Sequence, residues 1–215
     1  MKYYNLSDKL LTVIQIWLKG SVMQKDDEKK QRILKIAKSF FSHFGLKKTT
    51  MHEIAHKARM AKSTLYYYFK NKEEIFSEVI RKESLILKEQ ITEQLGKANT
   101  PQEKLRAYIH TRMDRLNNLS NYYSTLTDEY LEHYSFVNKA RTDFNIFEQN
   151  TISKILSDGC DSGVFKIPKV ASTSRSIIIV LKGLEIPLLM RGENVDMDKI
   201  IDDMLLLLFK GIVTR

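Results

Sequence analysis

The chain has 215 residues, with 8 Gly, 3 Pro and one cysteine. So few Gly and Pro residues leave too little turn-forming sequence for many short strands, which favours an all-α fold. The single cysteine, Cys160, excludes an intramolecular disulfide and a multi-cysteine metal site, and it is typical of the reducing cytoplasm. Residues 23–82 carry 15 Lys and Arg against 7 Asp and Glu, whereas residues 83–215 carry 17 against 18. A basic head before a neutral body indicates a domain that binds a polyanion.

The first 22 residues contain an apolar run, Leu10 to Leu18. This run is too short for a transmembrane helix, which takes about 20 residues, and no small-residue cleavage site follows it, so we expect neither a membrane span nor export. Met23 begins a basic amphipathic segment that is typical of a natural start. We therefore hypothesise that residues 1–22 come from an over-extended gene start; the alternative is an accessory helix that packs Trp17 on the body.

Three helices are predicted in the basic head. The first begins near Asp26 and is expected to end at Gly45, and its apolar residues follow the spacing of one helical face: Ile33, Ile36, Ala37, Phe40, Phe41 and Phe44. Thr50 and Glu53 form a capping-box pattern for a short second helix. The inward face of that helix is predicted to be Met51, Ile54, Ala55 and Ala58. A third short helix covers Lys62 to Phe69, with Ala61, Leu65 and Phe69 facing inward.

Two short helices joined by a tight turn and held by a longer one are the plan of a helix-turn-helix. Helices this short are marginal alone, so the third must be held by its neighbours, which leaves its polar side free to enter a major groove. The side chains expected to contact bases there are Lys62, Ser63, Thr64, Tyr66 and Tyr67. The side chains expected to contact phosphate are Thr49, Thr50, Tyr68, Lys70 and Lys72.

The stretch AKSTLYYYFKNKEEI, residues 61–75, resembles the signature of the TetR family of transcriptional regulators. In that signature a Thr-Leu-Tyr-x-(Tyr/His)-Phe helix is followed by a short turn, Lys and Glu. The resemblance extends back through Thr49 to the helix that contains Phe40, so it covers about 50 residues, and the rest of the chain fits only by its helix plan. One departure is Met60-Ala61, where the family usually has Gly-Val.

The resemblance implies that Tyr66 and its polar neighbours face the groove, that Tyr68 touches phosphate and that Lys72 meets phosphate from the start of the next helix. It also implies a ligand-responsive regulator, with no catalysis and no cofactor. We expect it to repress by binding a palindromic operator as a homodimer, and to be released by a small apolar or amphipathic ligand. The expected partners are double-stranded DNA, a second copy of the chain and an unidentified small molecule, with no membrane.

Two other hypotheses for the function of the head remain open. His52-Glu53-Ile54-Ala55-His56 matches the zinc-protease pattern, in which two His one helical turn apart bind the metal. Against a zinc hydrolase, Glu53 has a capping role and Ile54 and Ala55 are needed for the core. The other reading is an architectural DNA-binding protein without a ligand response.

Six further helices are predicted in the body, with the bounds Asn71 to Gly96, Thr100 to Asn117, Tyr122 to Tyr134, Phe136 to Asp158, Ala171 to Arg191 and Val195 to Ile212. Gly159 and Gly163 are expected to break the chain. The proposed divisions are an extension (1–22), a helix-turn-helix domain (23–72) and a ligand-binding and dimerisation domain (73–215), with the fourth helix shared by head and body.

The middle helices are rich in aromatic residues, which suits an apolar or amphipathic ligand. The candidates for a ligand pocket are Tyr108, His110, Tyr123, Tyr130, His133, Phe144 and Phe147. The last two helices are strongly apolar, and the resemblance implies that they pair with a second copy. The candidates for a dimer interface are Ile178, Leu181, Leu188, Leu205 and Leu208.

Overall fold

The computed structural model describes residues 6–122, 134–189 and 196–212, and every regular element within these ranges is an α-helix. The helices are α1 (Leu6–Lys48), α2 (Met51–Lys57), α3 (Lys62–Tyr68), α4 (Lys72–Lys97), α5 (Pro101–Tyr122), α6 (Tyr134–Ala140), α7 (Thr142–Asp161), α8 (Val170–Leu189) and α9 (Met197–Ile212). The predicted all-α class is therefore confirmed. Within these ranges, no helix has both the length and the apolar content needed to cross a membrane.

The head is built on an apolar core enclosed by α1, α2, α3 and the first turns of α4. Its buried side chains include Ile33, Ala37, Phe41, Leu46, Ile54, Ala55, Leu65, Phe69, Ile75, Phe76 and Val79. The predicted apolar stripe of α1 is wrong at its last position, because Phe44 is 54% exposed. The backbone leaves the helical conformation at Gly45, where φ is 78°, and Leu46 takes the next core position instead.

Helix α1 is continuous from Leu6 to its kink at Gly45. Its backbone therefore has no break between residues 22 and 23, where the extension was predicted to meet the head. The over-extended gene start stays a prediction.

The body has a second core, formed by the later turns of α4 together with α5, α7, α8 and α9. Its buried side chains include Leu87, Ile91, Leu105, Ile109, Met113, Ile152, Leu156, Phe165, Leu181, Ile201 and Leu205. Helix α4 contributes Ile75 and Val79 to the head core and Leu87 and Ile91 to the body core. The prediction that this helix belongs to both parts is confirmed, whereas the domain boundary at residue 72 stays a prediction.

Two predicted helices in the body differ from the structure. Helix α5 continues to Tyr122 rather than ending near Asn117. Of the helix predicted from Tyr122 to Tyr134, residues 123–133 lie outside the described residues, and Tyr134 begins α6. The helix predicted from Phe136 to Asp158 is two helices, α6 and α7, with Arg141 between them. Helix α6 also turns Phe136 and Val137 toward the head core.

Gly159 does not break the chain, because it lies inside α7, two residues before the helix ends. Its lack of a side chain has a packing role. A Cβ atom at this position would lie 2.1 Å from a ring carbon of Phe165. Phe165 is 3% exposed and can enter the body core only because residue 159 is a glycine.

Candidate nucleic-acid interface

The start of α2 carries the capping box that the sequence predicts. The backbone N–H of Glu53 donates to the Thr50 hydroxyl at 3.3 Å, and the backbone N–H of Thr50 donates to the Glu53 carboxylate at 2.9 Å. In the turn after α2 the residue with positive φ is Arg59, at 51°. Met60 therefore avoids the left-handed conformation, and the departure from Gly at that position is tolerated.

Helix α3 has one buried and one exposed face. Leu65 is fully buried and Phe69, its C-cap, is 3% exposed. The inward position predicted for Ala61 is wrong, because this residue is the extended N-cap of α3 and is exposed. Tyr67 is 78% exposed and Tyr66 is 45% exposed, and the Lys62 ammonium lies 5.9 Å from the centre of the Tyr66 ring. Ser63 is also exposed, and Thr64 is half-buried. All five predicted base-contacting residues thus lie on a seven-residue helix that is held by an apolar core.

Two of the predicted phosphate contacts, Thr49 and Lys72, make hydrogen bonds within the head, and their role toward DNA stays a prediction. Thr49 is 1% exposed, and its hydroxyl donates to the carbonyl of Gly45 at 2.7 Å. The Lys72 ammonium donates to the carbonyls of Leu46 at 2.6 Å and of Lys47 at 3.0 Å. Both side chains are used to close the C-terminal end of α1, where carbonyls lack helical partners and a cation is favoured.

Tyr68 is half-buried, and its hydroxyl donates to the Asp26 carboxylate of α1 at 2.8 Å. This hydrogen bond, followed by burial, raises the pKa of Tyr68 to about 12. Thr50 is exposed, and its hydroxyl donates to Glu53 within the capping box. Lys70 is also exposed, and its backbone N–H donates to Glu74 at 2.7 Å. Among the predicted phosphate contacts, Lys70 thus has an exposed side chain whose ammonium makes no contact within the described part of the chain.

The His52-Glu53-x-x-His56 pattern lies on the surface of α2, with both His side chains exposed. The Glu53 carboxylate accepts from the Thr50 hydroxyl at 2.7 Å as well as from its backbone N–H, and these bonds lower the pKa of Glu53. The glutamate that a zinc protease would use as a base is thus engaged as a helix cap. Among the described residues, no three His, Cys, Asp or Glu side chains are grouped closely enough to hold a metal ion.

In the body, a buried ionic network, which the sequence reading missed, surrounds Arg112. Its Nε atom lies 2.6 Å from Glu148 Oε1, and its Nη2 atom contacts Glu185. Burial acts to lower the pKa of Arg112, but the two carboxylates outweigh it and raise the pKa above its ordinary value. Arg141, in the break between α6 and α7, lies 3.3 Å from Glu185. One signal in the sequence could have indicated this network. Arg112 follows the apolar residue Ile109 by three positions, which places a charged side chain on the inward face of α5.

Two of the predicted pocket residues belong to the body core. Tyr108 is fully buried and its hydroxyl donates to Glu148 at 2.9 Å, while burial and then the Glu148 charge raise the pKa of Tyr108. Phe144 is 3% exposed, and Phe147 is half-buried with the Lys88 ammonium 5.2 Å from its ring centre. Tyr123, Tyr130 and His133 lie outside the described residues.

A cleft of about 470 Å³ lies between α4 and α5, and His110 is the predicted pocket residue that lines it. Its lining is largely polar and consists of Gln90, Glu93, Gln94, Ala107, His110, Thr111, Asp114 and Arg115. The described cleft thus differs in character from the aromatic pocket that the sequence predicts.

Three of the predicted dimer residues lie in the protomer's own core, and the dimer interface stays a prediction. Leu181 and Leu205 are fully buried and Ile178 is 9% exposed, because all three pack into the protomer's own core. Leu208 is half-buried against that core, and the side chain of Leu188 lies outside the described part of α8. The apolar side chains that remain exposed on α8 and α9 are Ile179, Val180, Ile200, Leu206 and Leu207.

Comparison with known proteins agrees with this architecture. The family model "Bacterial regulatory proteins, tetR family" matches residues 33–79. The HTH-type transcriptional regulator QacR of Staphylococcus aureus is 33% identical over 106 residues, which cover 49% of this chain and 54% of QacR. The uncharacterised HTH-type transcriptional regulator YhgD of Bacillus subtilis is 46% identical over 52 residues, 24% of this chain and 27% of YhgD. The chain therefore spans about half the length, or less, of these two relatives.

Solved structures extend the similarity into the body. A transcriptional regulator from Cytophaga hutchinsonii superposes with a TM-score of 0.69 at 27% identity, covering 85% of this chain and 97% of that one. FadR of Bacillus subtilis, solved in complex with stearoyl-CoA, superposes with a TM-score of 0.68 at 24% identity, covering 84% of this chain and 98% of that one. At its lower identity, the second match concerns the fold alone.

Proposed function

Because this chain belongs to the TetR family of bacterial regulatory proteins, we propose that it is a cytoplasmic transcriptional repressor that binds a palindromic operator as a homodimer and is released by a small ligand. The observation that carries this proposal is the outer face of α3, where Tyr67 and Tyr66 are 78% and 45% exposed. A surface helix packs its apolar face on the core, and its outer face stays available to a partner. Here Leu65 and Phe69 fill the core, and the two tyrosines are left for a major groove.

The homodimer would form through α8 and α9. Ile179 and Leu207 are 63% and 72% exposed, and Val180 and Leu206 are about half exposed. Helices α8 and α9 contribute to one core, and exposed apolar side chains on two such helices are typical of a surface that is covered by a partner. A two-fold dimer would then present two copies of α3 about 34 to 36 Å apart, the spacing of successive major grooves on one face of DNA.

The ligand would bind in the body, between residues 73 and 215, whereas residues 23–72 would contact DNA. The aromatic content of the middle helices supports an apolar or amphipathic ligand, and a protein of the same fold was solved with stearoyl-CoA bound. Helix α4 contributes to both cores, so a ligand that favours another position of α4 would move the heads. A coupling of about 1 to 3 kcal/mol would change operator affinity about 5- to 150-fold.

The test begins by selecting operator sequences from random duplex DNA with the purified protein. Tyr66→Ala is expected to lower affinity for the selected operator by about tenfold, the scale of one lost base contact, and to leave binding to unrelated duplex unchanged. Leu85→Ala, at an exposed apolar residue of α4, is the control and should change neither affinity. Equal loss of specific and non-specific binding in Tyr66→Ala would contradict base reading by α3.

A further inference from the structure

Glu83 of α4 joins the head to the body through two ion pairs. One oxygen of its carboxylate accepts from the Lys38 ammonium of α1, and the other accepts from Nη2 of Arg115 on α5 at 2.6 Å. Glu83 is 9% exposed, and a pair this well screened from water is stronger than one at the surface. A single carboxylate thus ties α1, α4 and α5 together at one point.

The Arg115 side chain also lines the cleft between α4 and α5. Its Nε atom is buried and has no hydrogen-bond partner among the described residues. A guanidinium presents Nε–H and one Nη–H side by side, which is the geometry that binds both oxygens of a carboxylate or phosphate. Glu83 occupies Nη2 and leaves the adjacent Nε–H without an acceptor.

The cleft has the size of a small-molecule site and a lining that suits a polar molecule. Its volume of about 470 Å³ lies within the range of about 300 to 1,000 Å³ that is usual for ligand pockets. Besides Arg115 it offers hydrogen-bonding groups from Gln90, Gln94 and Thr111. The Glu93 carboxylate in its lining is paired with Lys97 at 2.7 Å, and Asp114 adds a second carboxylate. These negative charges would repel a molecule with several anionic groups.

We propose that this cleft binds a small polar molecule through one carboxylate or phosphate group at Arg115, and that binding draws Arg115 away from Glu83. The bound anion competes with Glu83 for the same edge of the guanidinium. When Glu83 loses Arg115, the ion pair that links α4 to α5 at this point is broken. Glu83 keeps its pair with Lys38, and α1 and α4 still pack through the head core. The orientation of the head becomes less fixed, and operator affinity falls. This last step rests on the proposed function, whereas the binding step does not.

The binding step is tested on the full chain by NMR of the arginine Nε–Hε signals. L-lactate and inorganic phosphate are titrated separately, with choline chloride as a cationic probe, and Arg115→Gln identifies the signal. We expect the Arg115 signal to shift saturably with lactate, with phosphate or with both, and not to shift with choline. Comparison of the two titrations shows whether the site takes a carboxylate, a phosphate or either. Arg106→Gln is the matched control, because Arg106 lies on the same helix and is exposed. The absence of a saturable anion shift at Arg115, or its persistence in Arg115→Gln, would overturn the site.

The coupling step is tested by operator affinity at constant ionic strength, with chloride replacing the anion in the reference. The anion that saturates Arg115 should weaken operator binding by about fivefold or more, the low end of allosteric coupling, in the original chain and in Arg106→Gln. Glu83→Gln should still bind the anion but lose the response. Unchanged operator affinity at saturation would overturn the coupling. If no operator is found, the proposed function fails, while the shift at Arg115 still decides whether the cleft binds an anion.

Discussion

The head and the body bury different kinds of side chain. The described core of the head is apolar, and its buried polar groups Ser42 and Thr49 donate to backbone carbonyls of α1. The body core instead encloses Arg112, Glu148 and Glu185, each at most 3% exposed. An apolar core depends on shape and volume, whereas buried charges depend on keeping every partner in place. The head is therefore suited to hold one short helix rigidly, and the body has an interior whose geometry is set by specific contacts.

The substitution expected to have the largest effect on this contrast is Arg112→Met. The change leaves the Glu148 and Glu185 carboxylates buried without their cation, so we expect the free energy of unfolding in urea to fall by about 3 to 5 kcal/mol. A triple variant that also carries Glu148→Leu and Glu185→Leu should recover most of the loss, because it removes the unpaired charges. A loss below about 1 kcal/mol in Arg112→Met would mean that the network does not govern the stability of the body.

The corresponding test of the head is Leu65→Ala. Leu65 is fully buried, and truncating such a side chain costs about 2 to 5 kcal/mol. Hydrogen exchange should show faster opening of α2 and α3, while the amides of α7 keep their protection. Tyr67→Ala, on the exposed face of the same helix, should stay within about 0.5 kcal/mol of the original chain. Similar losses in the two variants would contradict the division of α3 into a core face and an exposed face.

The smallest effect concerns the polar contact at the edge of the head. The pKa of Tyr68 is raised to about 12 by its hydrogen bond to Asp26, above the ordinary tyrosine value of about 10. The folded state therefore favours the protonated phenol, so this contribution to stability is full below pH 10 and is lost as the pH rises to about 12. Urea unfolding at several pH values should show this loss as a fall in the free energy of unfolding. The part of the fall that is absent in Tyr68→Phe measures the contribution of the Tyr68 hydroxyl. Identical curves for the two proteins would exclude the contact.

Short-range patterns in the sequence predicted the head well. The capping box of Thr50 and Glu53 acts within one turn, and the inward positions of Ile54 and Leu65 follow from helical spacing alone, so no distant contact is needed to place them. Phe44 was misplaced although the helix end at Gly45 was predicted, because spacing alone does not show that Leu46, after the kink, fills the next core position. The left-handed turn residue is Arg59, a position that no local rule singles out, since Gly would be the usual choice.

The body was predicted less well because its residues are placed by other helices. Apolar spacing placed Leu181 and Leu205 on helices, but these helices have apolar residues on more than one side, and only the packing determines which side faces the core. Gly159 was read as a chain break, whereas the position of Phe165 makes it a packing residue. Arg112 acquires its role from partners 36 and 73 residues away.

The sequence by itself determined the all-α class, the basic head and the helix that exposes Tyr66 and Tyr67, because these follow from composition and from contacts within a few residues. Only the tertiary structure decided that Lys72 and Thr49 close the end of α1, that Tyr68 binds Asp26 and that Glu83 links the head to the body. Each of these groups could serve DNA, a ligand or the fold. The partner it meets is brought near by the packing of whole helices, and a polar group leaves water only where such a partner is in reach.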